Sequence, residues 1–262
     1  MAEKKVIYYA RIYRAIRASR TKCFLYICIL ILPMLLLLWL HLDDLTRWIC
    51  EAAQYAFREF CPDIPTSIQT KNFSLLGKVS YLSVSTVYPE FRMCLLNGAV
   101  SLAVMIIIGN LPWKGRPMAI YLILNAGIQL ISSLWFLFAG ELFPYTLTQY
   151  SELYMVQEVG IWIVFLVMTG AVTGIVGDRG CFPDKLLTVL CVMAYSIVFG
   201  TVRYIVFLYL LYRCSVLYMT LLYFTLGPMF DFVYLVMIYA FFINRMIRLY
   251  ESQAGKGAWR WS

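Results

Sequence analysis

The stretch "CFLYICILILPMLLLLWL" (Cys23–Leu40) runs for eighteen residues without a charge. A helix on a soluble domain keeps a polar face, and this one has none. Crossing a hydrocarbon core of about 30 Å takes about 20 predominantly apolar residues in helical form. The run is longer than the hydrophobic part of a secretory signal and lacks a small-residue cleavage site, so it reads as a retained first span.

The rest of the chain extends the same reading. Of 262 residues, 62% are hydrophobic and 17% aromatic, with a mean hydropathy of +0.76. A soluble domain of this length has nowhere to hide so much apolar surface. Apolar runs predict six helical spans, at about 23–41, 94–111, 118–140, 153–176, 186–211 and 227–247. The expected class is an all-α, polytopic helical membrane protein. A basic arm over 1–22 would precede a single integral domain over 23–262, with an external segment at 43–93 and a tail at 248–262.

Charge placement sets the orientation. Fifteen Lys and Arg residues fall in the N-terminal arm, in "PWKGRP" (112–117), in "GDRGCFPDK" (177–185) and in the tail with Arg245 just before it. Six fall on the opposite side: Arg47, Arg58, Lys71, Lys78, Arg92 and Arg213. Basic residues collect on the cytoplasmic side, so both termini are expected inside a plasma (cytoplasmic) membrane. The net charge of +8 then belongs to span ends and anionic lipid, not to nucleic acid. The arm "EKKVIYYARIYRAIRASRTK" (3–22) alternates basic and aromatic residues as an interfacial helix does, or as a partner-binding surface would.

The eight cysteines show no CxxC, and the sole histidine, His41, ends the first span. A metal site, a Ser-His or Cys-His pair, and any cofactor are therefore not expected. Cys50 and Cys61 sit eleven residues apart in a helical stretch, and spacing alone does not decide whether they bond. That stretch, "DDLTRWICEAAQYAFREF" (43–60), offers Asp43 or Asp44 as N-cap. Leu45, Trp48, Ala52, Ala56 and Phe60 recur at helical spacing, either for the outer interface or for the bundle. "SIQTKNFSLLGKVSYLSVSTVYPEF" (67–91) suits a hairpin turning at Gly77 or a plain loop, and carries a sequon at Asn72.

Three ionisable residues fall within spans: Glu158, Arg203 and Asp231. Arg203 lies roughly 27 Å along its helix from Lys185 at about 1.5 Å per residue, near the outer end. Glu158 and Asp231 lie near the outer starts of their spans. All three belong to one outer-leaflet polar cluster, either an ion pair fixing helix positions or a site facing a cavity. Asn125, Gln129 and Ser132, at i, i+4 and i+7, form a stripe for helix–helix packing.

From Met155 onward the chain resembles the exosortase/archaeosortase family of polytopic membrane proteins, proposed to cut and transfer sorting-signal proteins at the outer membrane face. "VQEVGIWIVFLV" (156–167) looks like the family's Cys-Ser-Gly segment, "FGTVRYIVF" (199–207) like its Asn-x-x-Arg segment, and "YFTLGPMFDFVYLVMIY" (223–239) like its His segment. Glu158 stands where the nucleophilic Cys is expected, Gly200 where the Asn is, and Phe224, beside Tyr223, where the His is. Only Arg203 carries over. In a second frame Cys94 opens a span, Asn125 and Gln129 lie on the next and Gln157 opens the one after, without the Arg or His.

The resemblance implies a non-catalytic, exosortase-like binding or assembly subunit of a cell-envelope system such as surface polysaccharide synthesis or export. Its host would be a prokaryote and its partner a membrane glycosyltransferase, beside the membrane lipid that the basic arm and span ends would meet. Two alternatives stand beside it. One is a cysteine transpeptidase or protease using Cys94, with Arg203 stabilising an oxyanion. The other is a small transporter using Glu158, Arg203 and Asp231.

Overall fold

The computed structural model describes residues 20–62, 64–74, 76–110, 116–175 and 182–253. Most of the basic arm and the end of the tail lie outside the described residues. Among the described residues, seven long helices and one hairpin make up the fold: α1 (Arg20–Leu40), α2 (Leu42–Phe60), β1 (Ser67–Phe73), β2 (Gly77–Ser83), α3 (Phe91–Asn110), α4 (Pro117–Ala139), α5 (Leu147–Ile175), α6 (Phe182–Cys214) and α7 (Gly227–Gln253). All but α2 belong to stretches long and apolar enough to cross a membrane, six among the described residues. The protein is an all-α polytopic membrane protein.

The chain divides into two compact units. One is drawn from Met1–Leu35, Val164–Met193 and Leu235–Ser262. Here α1 lies against α5 at two glycines one turn apart, in "GAVTG" (170–174). A Cβ at Gly170 would stand 2.5 Å from Ile31 Cγ1, and one at Gly174 would stand 2.6 Å from Ile27 Cγ1. Paired small residues let helix backbones approach closely where no hydrophobic driving force exists between helices and lipid. Lys185 is buried in the same unit, its Nζ 3.4 Å from the Gly174 carbonyl and 4.3 Å from the Tyr26 ring centre. Arg245 Nε pairs with Asp184 Oδ1 at 2.7 Å.

The other unit comprises Leu36–Ile163 and Ala194–Tyr234. It contains the segment expected outside, folded as a small cap. The α2 stripe of Leu42, Thr46, Ile49, Cys50, Ala53 and Phe57 is buried. Its hydrogen bonds run to the hairpin: the Ser80 amide donates to Thr46 Oγ1 at 3.2 Å, and Gln54 donates to the Thr66 carbonyl at 3.0 Å. The covered face is not the expected one: Trp48 and Phe60 are exposed and Leu45, Ala52 and Ala56 only half-buried, so protein packs against the neighbouring stripe instead.

Two local details of the cap differ from expectation or decide between alternatives. Neither Asp43 nor Asp44 is the N-cap; that place is taken by His41, without a side-chain capping bond. The chain leaves α1 through that single residue, so both aspartates are already inside the first turn, where the helix dipole favours them. The segment after α2 is a hairpin: β1 and β2 pair antiparallel from Ser67 with Ser83 to Phe73 with Gly77. Gly77 adopts φ +83°, left-handed backbone that glycine takes without a Cβ clash.

The cap is tied down by hydrogen bonds. Tyr204 of α6 accepts from the Leu82 amide at 2.9 Å and shares a 2.5 Å bond with Ser151 of α5. Thr148 donates to the Val84 carbonyl at 3.2 Å, and the Leu147 amide donates to Thr86 Oγ1 at 2.9 Å. Between α6 and α7 the chain is irregular. A 3-10 turn (Val216–Tyr218) and a single turn (Met219–Leu221) lead into a π-helical stretch (Leu222–Leu226) that runs up to Gly227-Pro228. Proline has no N–H to continue the helical ladder, which accounts for an interruption at this point.

Candidate functional site

Glu158 on α5, Arg203 on α6 and Asp231 on α7 meet inside the second unit, with relative exposures of 2%, 4% and 2%. Arg203 Nη2 donates to Glu158 Oε1, and Nη1 lies 2.8 Å from Asp231 Oδ1. The same Nη1 donates to the Gly227 carbonyl at 2.7 Å, and Nε donates to the Tyr154 hydroxyl at 2.5 Å. The guanidinium also lies 5.5 Å from the Tyr154 ring centre and 6.0 Å from that of Phe199. A planar fork of five donors suits this surround, because an arginine can bond in several in-plane directions at once.

The local sequence makes room for each contact. Gly200, one turn before Arg203, is where the Glu158 carboxylate packs: a Cβ there would stand 2.8 Å from Oε2. Any larger residue would push that carboxylate away. Gly227, at the end of the π-helical stretch, brings its carbonyl to the guanidinium. Asp231 follows one turn later on α7, and Tyr234 beyond it donates to Ser196 at 2.7 Å.

Not every polar atom here is paired. Glu158 Oε2, Asp231 Oδ2, Tyr150 OH and Trp162 Nε1 are buried without a hydrogen-bond partner. Tyr150, Tyr154, Glu158 and Trp162 recur every four residues along α5, and all are at most 2% exposed. Sequence reasoning singled out Glu158 and passed over the other three, although their i, i+4 spacing was legible. The carbonyl of Gly227 and the space left by Gly200 had no such signal.

The stripe on α4 is placed differently from residue to residue. Gln129 is buried and its Nε2 lies 3.4 Å from the Leu217 carbonyl, while Asn125 turns back to its own helix at Tyr121. Ser132 is buried, but the bond to α3 is made by its neighbour: Asn97 donates to Ser133 Oγ at 2.7 Å, beside Gly98. Asn97 in turn accepts from Tyr218 at 3.2 Å. Gln157, from the second frame, is half-buried, and Phe224 is exposed.

Cys94 is 1% exposed on α3. Cys50 and Cys61 are both free thiols, on successive parts of one helix and its C-terminal cap. Burial and the Glu51 carboxylate push the Cys50 thiol up to about 12, against a weaker opposing bond from Tyr204. It stays a thiol at neutral pH and is a poor nucleophile.

No protein-family model matches this chain, and neither does a curated protein or a solved structure. The chemistry of the cluster therefore carries the functional argument.

Proposed function

We propose that this protein is a non-catalytic, exosortase-like subunit of a prokaryotic cell-envelope system, working in the plasma membrane with both termini cytoplasmic. Its role is binding or assembly, by analogy with the exosortase subgroup associated with a membrane glycosyltransferase in surface polysaccharide synthesis or export. The observation that carries this reading is how far Arg203 is engaged by the protein itself. Four of its five N–H groups are engaged by Tyr154, Gly227, Asp231 and Glu158. An arginine that stabilises a developing oxyanion must keep donors aimed at the place where that charge forms. Here they are spent on the protein itself.

The residues at the family's other site positions support the same reading. Glu158 has no sulfur with which to attack a carbonyl, and Gly200 has no side chain with which to orient a substrate. What remains is a charged knot joining three helices, with a small folded cap held in the same unit. Such a body suits presentation of a surface to a partner rather than turnover of a substrate.

Affinity purification in mild detergent tests the proposal. Co-purification of a membrane glycosyltransferase is the expected result. A protein that purifies from its native membrane alone, as a monomer, would overturn it.

A further inference from the structure

The charges in the cluster do not balance. Glu158 and Asp231 bring two carboxylates to one guanidinium, all of them buried. The side chains with polar atoms around it are neutral: Tyr150, Tyr154 and Trp162 on α5, Ser196 on α6 and Tyr234 on α7, whose hydroxyl also interacts with Asp231, with Tyr223 on the π-helical stretch 6.1 Å from Tyr150, ring to ring. No second cation pairs with either carboxylate among the described residues. A net charge held in a low-dielectric interior is relieved by uptake of a counter-charge rather than left bare.

The geometry says which counter-charge fits. A hard metal ion takes about 6–8 oxygen ligands. Only one oxygen on each carboxylate is left unpaired, Glu158 Oε2 and Asp231 Oδ2. Gly200 already closes in on the first of these. Among the described residues no three His, Cys, Asp or Glu side chains gather as a metal would need. A proton needs only one oxygen.

We propose that the Glu158–Arg203–Asp231 cluster is a proton-binding site, holding one proton at neutral pH on an unpaired carboxyl oxygen. The bound proton makes the cluster neutral and turns one carboxylate into a carboxylic acid. As an acid that group gains an O–H donor while the other carboxylate keeps its ion pair with Arg203. The cluster is then a place where a single proton gained or lost changes the net charge among three helices. This holds whether or not the protein acts as an assembly subunit.

Infrared spectroscopy of the purified wild-type protein in detergent tests it. Glu158 and Asp231 are the only buried carboxyls among the described residues, so a protonated-carboxyl stretch at neutral pH reports on them. The expected spectrum contains that band, shifted by heavy water and shifted by carbon-13 labelling of either aspartate or glutamate. The band should also vanish in the matching variant, Asp231→Asn or Glu158→Gln. Absence of any protonated-carboxyl band from the wild type at neutral pH would overturn the proposal. So would a band that survives in the folded Asp231→Asn/Glu158→Gln double variant. Because the labelling arm uses the unaltered protein, the test stands even if a variant fails to fold.

Discussion

Two regions of this protein hold helices together by opposite means. At Gly170 and Gly174, α5 meets Ile31 and Ile27 of α1 through close packing against their side chains and, at Ile27, the backbone. At Arg203, α5, α6 and α7 are joined by charges and hydrogen bonds with every charged group buried. The first kind of contact is graded, because each atom added or removed changes packing by a little. The second is close to all-or-none, since removing one partner leaves the others charged and unpaired in a medium that cannot solvate them.

The sharpest way to break that contrast is Arg203→Leu. It strands two buried carboxyl groups without their cation, and the expected loss is about 3–5 kcal/mol, the usual cost of breaking a buried pair from one side. Thermal unfolding in detergent should show a large fall in Tm. Adding Glu158→Leu should recover part of that loss, because the double variant leaves a single carboxyl that can be neutralised by a proton. A double variant less stable than Arg203→Leu would mean that Glu158 contributes something other than charge compensation.

Gly170→Leu probes the apolar contact. A side chain has no room 2.5 Å from Ile31 Cγ1, and overpacking of this sort costs about 1–3 kcal/mol. Pairing it with Ile31→Ala should restore part of the loss. That rescue by volume has no counterpart at Arg203, and its failure would remove the distinction between the two contacts.

Tyr204→Phe, next to Arg203 on α6, should cost no more than the glycine variant, about 1–3 kcal/mol for the Leu82 amide left without a partner. Its consequence is local to the cap. Cys50, whose thiol stands at about 12 through burial, should resist a maleimide at neutral pH in the wild type and react in the variant. Equal resistance in both would show that Tyr204 does not hold the cap closed.

Much of this was legible in the residues. Uninterrupted apolar runs mark spans because a bilayer demands helices of nearly fixed length, so five of the six stretches lie within several residues of expectation, while the last opens earlier, at Val216. Glu158, Arg203 and Asp231 drew attention because charge in a span is rare and needs a partner. Their meeting on three helices follows from that need. The Gly170–Gly174 spacing carried a packing signal too, though it was not read as one. Asp43 and Asp44 misled, because a capping preference says which residues suit an N-cap, not where the preceding helix will end.

The sequence by itself determined the solvent of this protein, the number of its spans and the residues that could not be left alone in lipid. These are properties of composition and period, which hold whatever the neighbours are. Only the tertiary structure decided that Arg203 would turn four of its N–H groups to the protein, that Gly200 would make room for a carboxylate, and that two buried acids would face one guanidinium. Those depend on which helix faces lie together, and a guanidinium's partners are chosen by distance in space rather than by spacing along the chain.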